Sequence, residues 1–310
     1  MVKMAVVVRI LHESFRTSTA LATKSRAICG LAGLPLLACL MIGCGGGDAA
    51  GQEPAAQVCG NGLVEGSEVC DNGHNNGTPG YCKTDCTGLP ALVTVSGDVF
   101  PFNVGHTARL DRARISVLEH PMKRMTTTED GHFEFEGLEE GTEVTLAMER
   151  PILEFGEYYH LIQTGTIELG PEGAERVSFQ AVTQLVYNLL ALYIGLTPDE
   201  DNACQMVSTV TRVGKSLYDP GAHGEEGATV TVDPPLPPEH GPIYFNSEVL
   251  PDLGLTETSD DGGVLFVNVP PGEYVLTAHK PGVQFRQVKM KCRSGWLVNA
   301  SPPWGLQALE

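Results

Sequence analysis

Hydrophobic and polar residues alternate along much of the chain beyond residue 90, a period of two that predicts β-strands with one buried face. The clearest case begins at His132, where Phe133 and Phe135 share one face and the polar residues between them share the other. Alternation with one wet face is typical of sandwiches. Further strands are predicted at 92–95, 97–100, 113–117, 158–163 and 166–169. We expect a break between the first two, and we expect His120-Pro121 to end the third.

One stretch of this alternating pattern occurs twice, at residues 126–151 and 256–281. Four positions match at one constant offset: Asp130-Gly131 with Asp261-Gly262, Phe135 with Phe266, Leu138 with Val269, and Gly141 with Gly272. Each copy consists of a glycine turn, an alternating strand, a second glycine turn and another strand. That order predicts a β-hairpin in each copy. Two copies predict two sandwiches.

A different period appears at residues 181–195, where apolar residues recur at helical spacing and Gly195 and Pro198 follow. The segment is too short for a membrane span, which needs about 20 apolar residues. Because only a weak polar stripe is present, we expect a helix buried between the sandwiches rather than a docking surface for a partner. The expected order is a first sandwich at 91–172, a helical connector at 178–203 and a second sandwich at 204–310.

The second copy carries an insertion after residues 228–232, which match 113–117 of the first copy. Its proline run at 233–238 favours polyproline II, and residues 243–245 predict an additional strand. Binding residues often lie on loops that a rigid scaffold positions. Aromatic residues of this insertion and of the C-terminal tail are therefore candidates for ligand contact; they are Tyr244, Phe245, Trp296 and Trp304. For the two tryptophans the alternative is a plug that closes the core.

The composition supports a β-rich fold and excludes one class of partner. The chain has 36 Gly, 21 Pro and 19% charged residues, which indicates many turns and little exposed helix. A net charge of −18 repels phosphate backbones, so we expect no nucleic-acid partner. An acidic surface also attracts divalent cations, although a solubilising role is the commoner interpretation.

The N-terminus predicts export. Residues 1–26 are basic, residues 27–42 are uncharged and apolar, and the run ends in Leu40-Met41-Ile42-Gly43-Cys44. This ending resembles the lipobox of bacterial lipoproteins, which implies removal of residues 1–43 and attachment of lipid to Cys44. The resemblance implies a location in the cell envelope, at the outer membrane or cell surface. An ordinary cleaved signal and a signal anchor are the alternatives. Residues 44–57 have the composition of a flexible tether.

Residues 58–88 predict a small module held by disulfides. Cys59, Cys70, Cys82 and Cys86 lie among Gly, Asn and Asp with few large apolar residues, so crosslinks must replace a core. Four cysteines make two bridges in any of three pairings. The segment resembles the myxobacterial-type cysteine-rich repeat of secreted proteins. The matching positions are Cys59-Gly60-Asn61-Gly62, Glu65, Glu68 and Cys70-Asp71, and the segment after Asp71 departs from that pattern.

Metal binding is the competing chemistry in this module. A zinc site of the four cysteines is disfavoured, because the spacing lacks a C-x2-C pair and an oxidising compartment removes thiolates. Calcium is the only cofactor that the sequence leaves open, and solvated turn residues are the alternative to it. The candidate oxygen ligands are Asn61, Glu65, Glu68 and Asp71.

Cys204 and Cys292 bracket the second sandwich and are the cysteines left after the small module. In an exported protein we expect them to pair and to clamp the first and last strands together. A loop of this length is stabilised by about 4 kcal/mol in the chain-entropy model.

The first sandwich resembles the carboxypeptidase regulatory-like domain over roughly residues 93–170. The positions that carry the resemblance are Thr128, Asp130-Gly131, Phe133, Phe135, Leu138 and Gly141. The resemblance implies a transthyretin-like β-sandwich that serves as a structural or accessory module, without catalytic residues.

No zincin, nucleophile-elbow or Walker motif is present, and the nine histidines are scattered, so we expect no enzyme. The predicted fold is mainly β, with two transthyretin- or Ig-like β-sandwiches joined by one helix and preceded by a small disulfide-rich module. The predicted function is a non-catalytic, envelope-anchored lipoprotein in surface display, adhesion or scaffolding. Its expected partners are the membrane, through the lipid, and a glycan or an envelope protein. A carbohydrate-binding surface protein and an unrecognised secreted hydrolase are the alternatives.

Overall fold

A computed structural model describes residues 58–151 and 158–310. The predicted signal peptide, the tether and Cys44 lie outside the described residues. The chain divides into two compact units, one that ends at Leu89 and one that spans Pro90–Glu310. Within the described ranges, no helix has the length and apolar character that crossing a membrane requires.

The described part of the first unit is the cysteine-rich module, which forms a single short 3-10 turn at Gly73–Asn75. Disulfides join Cys59 to Cys86 and Cys70 to Cys82. Cys82 and Cys86 are fully buried, whereas the large apolar side chains of the module, such as Leu63 and Val69, are exposed. The crosslinks therefore take the place of a hydrophobic core, as the composition predicts.

The first sandwich of the second unit consists of two layers in which most strand pairs are antiparallel. The layers pack around Ile115, Phe133, Leu146 and Phe179. Its strands are β1 (Leu92–Pro101), β2 (Arg114–Val117), β3 (His120–Thr126), β4 (His132–Glu139), β5 (Glu143–Val144), β6 (Leu146–Glu149), β7 (Ile162–Gln163), β8 (Ile167–Glu168) and β9 (Ala174–Ala181). One layer has the order β4-β1-β9, the other runs β7-β6-β2-β3, and β5 pairs with β8. Strand β1 is continuous, so the expected break is replaced by a register shift between Val93 and Val95.

The second sandwich packs around Met206, Phe266, Leu276 and Met290. Its strands are β10 (Cys204–Thr211), β11 (Thr229–Asp233), β12 (Ile243–Phe245), β13 (Pro251–Asp252), β14 (Gly263–Val269), β15 (Gly272–His279), β16 (Val288–Cys292), β17 (Leu297–Ala300) and β18 (Leu306–Gln307). One layer has the order β13-β12-β14-β10-β17, with β18 also on β10, and the other has the order β11-β15-β16. The strand predicted within the insertion is present as β12.

The disulfide between Cys204 and Cys292 joins the two layers of this sandwich, because β10 and β16 belong to opposite layers. The two cysteines pair as the sequence predicts. The expectation that they clamp the last strand is wrong, since β17 and β18 follow β16. The bond instead crosses the core between the sheets.

The repeated stretch does not form hairpins, contrary to the prediction. Strand β4 pairs with β1, whereas β6 pairs with β2 and β7 in the opposite layer. Strands β14 and β15 are separated in the same way, with β14 on β10 and β15 on β11. Alternation identifies a buried face but not a partner strand. In each copy the chain therefore crosses to the opposite sheet between the two strands, after Glu139 in the first copy and through Pro270-Pro271 in the second.

The two sandwiches differ in the strand that follows β2 and its counterpart β11. In the first, His120 starts β3, which stays beside β2 and does not end the pattern there as expected. Pro121 is tolerated because β3 is an edge strand. In the second, the insertion reaches the opposite layer, where β12 pairs with β14. The extra chain length thus allows this strand to change sheets.

Strand β9 was not expected, and it extends the first sandwich through residue 181, past the boundary predicted at 172. Val177, Phe179 and Ala181 are buried on one face of it, and it runs parallel to β1. The end of β9 overlaps the start of the helical pattern at residues 181–195, so the sequence pattern does not predict the strand.

Helix α1 spans Gln184–Tyr193, and the Thr183 side chain caps it by accepting a hydrogen bond from the Val186 N–H. The expectation of a helix buried between the sandwiches is wrong. Tyr187 and Ala191 are buried, but Leu185 is 45% and Leu192 71% exposed. One side of the helix packs on the protein while several apolar residues remain at the surface.

The sandwiches are joined by more than a helix, because β17 of the second pairs in parallel with β7 of the first. Leu297 lies opposite Ile162, and Val298 lies opposite Gln163. One layer from each sandwich thereby merges into a single ten-stranded sheet. This continuity fixes the orientation of one sandwich on the other.

Candidate functional site

The junction between the sandwiches is built around Gln163, which is fully buried. Its amide nitrogen donates to the carbonyl oxygen of Lys291 at 2.5 Å, and its amide oxygen accepts from Nε of Arg293 at 2.7 Å. A buried amide that satisfies both of its ends in this way specifies one geometry, since leaving either end unpaired is costly. Gln163 therefore holds the first sandwich in register with the second.

Ion pairs reinforce the same junction. Lys291 lies 2.7 Å from Glu119 and 3.6 Å from Glu143, while Lys289 lies 3.0 Å from Glu143. Burial acts to raise the pKa of Glu119, but hydrogen bonds from Lys291 and from the Thr145 N–H outweigh it and lower that pKa. Hydrogen bonds to Glu143 raise the pKa of Lys289. Glu119 and Lys289 are therefore both charged at neutral pH.

A pocket of about 340 Å³ lies where the first sandwich meets the second. Gln180 of β9 and Val207 and Thr209 of β10 form part of its lining. Its aromatic side consists of Phe100 and Phe245, which are almost fully buried, and Phe102, which is half-buried. The volume falls in the range of roughly 300–1,000 Å³ that is usual for ligand pockets.

Asp261 supplies a carboxylate to this pocket. Its Oδ2 accepts a hydrogen bond from the Gly263 N–H at 3.0 Å, and burial raises the pKa of Asp261 to about 6. Among the described residues, no hydrogen-bond donor contacts its other oxygen, Oδ1. A Cβ at Gly263 would lie 2.6 Å from Oδ2 and 2.9 Å from the Phe245 ring. Only glycine therefore lets the carboxylate and the ring come this close.

His223 and Asp219 also line the pocket. The Nε2 atom of His223 is 2.8 Å from the carbonyl oxygen of Asp219. Because a carbonyl can only accept, Nε2 carries a proton, and in the Nε2–H tautomer Nδ1 is left as an acceptor. The Asp219 carboxylate accepts from Ser216 and lies 3.6 Å from Arg176. Its charge is therefore already compensated, whereas that of Asp261 is not.

The aromatic residues predicted to contact a ligand are not brought together. Tyr244 is a core residue, and its hydroxyl accepts from the Val230 N–H at 3.0 Å. Trp296 is half-buried beneath the Arg293 guanidinium, which lies 3.9 Å from the ring centroid. Trp304 donates from Nε1 to the Glu175 carbonyl oxygen at 2.8 Å and packs against the core of the first sandwich. Phe245 is the one of the four that lines the pocket.

The calcium candidates of the cysteine-rich module direct most of their oxygens to N–H groups. Each carboxylate oxygen of Asp71 accepts two hydrogen bonds. Oδ2 accepts from the N–H groups of Gly60 and Gly62, and Oδ1 accepts from the Gly73 N–H and the Asn76 amide. Burial acts to raise the pKa of Asp71, and these bonds lower it overall. The Asn61 carbonyl oxygen accepts from the Leu63 N–H, and its amide nitrogen donates to Glu65. This arrangement leaves few lone pairs for a cation.

Glu68 differs from the other candidates, because its buried Oε1 has no hydrogen-bond partner while Oε2 accepts from the Glu65 N–H. Ligand atoms of Glu68, Asp71 and Cys86 lie within 4.8 Å of one another. Cys86 is in a disulfide, so its sulfur is not a thiolate ligand. The same bonding removes the cysteines as zinc ligands. Calcium binding here stays a prediction.

No family model matches the chain, and no curated protein matches its sequence. The chain is similar to several solved structures at low identity. The Bacillus anthracis TIE protein is 14% identical with a TM-score of 0.24, and the match covers 68% of this chain and 34% of that one. A minor pilin of Streptococcus agalactiae is 10% identical with a TM-score of 0.22, covering 70% and 94%. Two B repeats of the collagen-binding protein of Staphylococcus aureus are 12% identical with a TM-score of 0.18, covering 70% and 51%.

This chain thus spans about a third of the length of the Bacillus anthracis protein, of which the match covers 34%. Likenesses of this degree do not show a shared function. The resemblances to the cysteine-rich repeat and to the carboxypeptidase regulatory-like domain stay predictions, since no family model matches.

Most residues of the pocket carry no binding signal in the sequence. Asp261 is predicted from the sequence only as part of a turn, and no pattern marks Phe102, Gln180 or His223 for binding. The available signal was the aspartate of the second Asp-Gly turn, followed by Gly263 where the first copy has His132. That glycine creates the space in which the Asp261 carboxylate lies.

Proposed function

We propose that this protein is a non-catalytic lipoprotein of the cell envelope that presents two fused sandwiches for adhesion or scaffolding. The observation that supports it best is the ten-stranded sheet that runs through both sandwiches. A protein that displays a surface away from a membrane needs that surface to keep its shape. Sheet continuity, the buried Gln163 and the ion pairs of Lys291 supply this rigidity.

The disulfides support the export part of the proposal. Bonds form between Cys59 and Cys86, Cys70 and Cys82, and Cys204 and Cys292. Disulfides persist in the periplasm and at cell surfaces, and they are rare in the cytosol. Their presence agrees with the apolar segment and lipobox-like ending of the N-terminus.

The anchor is tested by mass spectrometry of the mature N-terminus. We expect the first residue to be Cys44 with lipid on its thiol. Cys44→Ser should release the protein from the membrane fraction, whereas Cys39→Ser, a matched change within the apolar run, should leave it there. An unmodified peptide that runs through Cys44 would refute the lipoprotein proposal.

The display part is tested on intact cells. We expect an added protease to cleave the protein without cell lysis, and antibody against residues 90–310 to label the surface. A strain that lacks the protein should lose attachment to a host or cell surface, and the wild-type chain should restore it. Protection of the protein from protease until lysis would place it elsewhere and contradict surface display.

A further inference from the structure

The pocket at the junction of the sandwiches has features that display alone does not require. It combines aromatic residues with two carboxylates, Asp219 and Asp261, and two histidines, His106 and His223, in a cavity of about 340 Å³. The residues come from both sandwiches, since Phe102 and Gln180 belong to the first and Asp261 and His223 to the second. The rigid junction therefore also fixes the geometry of this pocket.

Several polar groups of the lining can accept hydrogen bonds from a ligand. Asp261 Oδ1 has no hydrogen-bond donor within the described ranges. In the Nε2–H tautomer of His223, in which Nε2 donates to the Asp219 carbonyl, Nδ1 is an acceptor. The hydroxyls of Thr209 and Ser247, which also line the pocket, either donate or accept. A ligand that carries several hydroxyl donors satisfies this set.

The apolar part of the lining includes three phenylalanines. Phe102 is half-buried, so part of its ring is open to the pocket, and the buried Phe100 and Phe245 lie beside it. Arg109 already covers Phe100, with its guanidinium 3.9 Å from the ring centroid. One accessible ring suits a ligand with one apolar face rather than a lipid chain.

We propose that this pocket binds the terminal sugar of a neutral glycan. The apolar face of the sugar ring packs on Phe102, and its hydroxyls donate to Asp261 and His223. Anionic ligands fit less well, because Asp219 is paired with Arg176 while Asp261 leaves an uncompensated carboxylate in the lining. The inference goes beyond envelope display, which needs no ligand.

The test uses saturation-transfer NMR on the full chain in detergent with methyl glycosides of glucose, galactose, mannose and N-acetylglucosamine. At least one glycoside should receive saturation from the protein, at an affinity near the millimolar range, typical of a single weak site. Each glycoside is used at 10-fold the protein concentration or above, up to a glycoside concentration of roughly ten times that affinity range. If none of the four receives saturation from the protein, the proposal is overturned.

Two exposed alanines give a matched pair of variants. Ala222 lies at the rim of the pocket, and Ala91 precedes the opposite end of β1 from Phe100, about 30 Å away at strand spacing. Ala222→Trp should abolish the saturation signal and Ala91→Trp should retain it. A signal that persists in Ala222→Trp would place the sugar elsewhere and overturn the assignment.

Asp261→Asn separates the role of the carboxylate from that of pocket shape. The amide keeps one acceptor but loses the charge, so affinity for the responding glycoside should fall by about tenfold, the difference between a charged and a neutral hydrogen bond. Equal affinity in this variant would contradict the role given to Asp261. Binding of n-butylamine in place of every glycoside would identify a cation site and overturn the sugar proposal.

Discussion

Lys291 of the second sandwich places its ammonium nitrogen 2.7 Å from a carboxylate oxygen of Glu119 in the first. Glu119 is also held by Thr145, whose N–H and hydroxyl donate to its two oxygens. Both charged side chains are about one-quarter exposed, so water screens the pair only in part. This contact stabilises the arrangement of the two sandwiches rather than either one alone.

Lys291→Met should destabilise the protein by about 1–2 kcal/mol, because it leaves Glu119 half-buried without its cation. Urea unfolding, followed by far-UV circular dichroism, measures the change in the free energy of unfolding. Lys215→Met is the matched control, since Lys215 is exposed and should change stability by less than about 0.5 kcal/mol. Equal effects of the two changes would show that the inter-sandwich pair contributes nothing.

The same pair should make part of the stability depend on pH. The pKa of Glu119 is lowered below its ordinary value of 4.5 in the folded state. The folded state then binds fewer protons than the unfolded state, so this stability is present above 4.5 and is lost as pH falls through the lowered pKa. Thermal unfolding between pH 6 and pH 3 should show a smaller loss of Tm in Lys291→Met than in the wild-type protein. A parallel loss in both would contradict this assignment.

The pKa of Asp261 is shifted in the opposite direction to that of Glu119. Burial raises its pKa from 3.8 to about 6, so the folded state binds more protons than the unfolded state between these values. The ionised carboxylate therefore costs stability above pH 6, and the cost disappears as pH falls towards 4. Asp261→Asn should raise Tm at pH 7.5 and have little effect near pH 4. Asp260→Asn, at the exposed neighbouring position, should give no such pH-dependent difference.

Gly97 is required by the close approach of β1 to β9. A Cβ at this position would lie 1.7 Å from the Val177 carbonyl oxygen and 2.9 Å from the Phe133 ring. Gly97→Ala should therefore destabilise the protein by more than about 3 kcal/mol or prevent folding. Gly170→Ala is the matched control, because nothing lies within 4 Å of its Cβ position. Comparable soluble yield and Tm for the two variants would refute this account of β1 and β9.

The sequence by itself determined which faces of several strands are buried. Phe133 and Phe135 point into the core, and residues 243–245 form a strand, as their patterns predict. It also determined the partner of Cys204, since one cysteine remained in the second sandwich for it. These features depend on the spacing of residues along the chain or on composition, and both can be read directly from the sequence.

Only the tertiary structure decided which strands pair and where the pocket lies. The separation of β4 from β6, the parallel contact of β7 with β17 and the exposed side of α1 depend on residues far apart in the chain. The pocket likewise joins Phe102 to Asp261, and of its lining residues only Phe245 was a sequence-based candidate. Periodicity fixes the direction of a side chain relative to its own backbone. The partner that buries it is chosen by packing and hydrogen bonding between segments that the period does not connect.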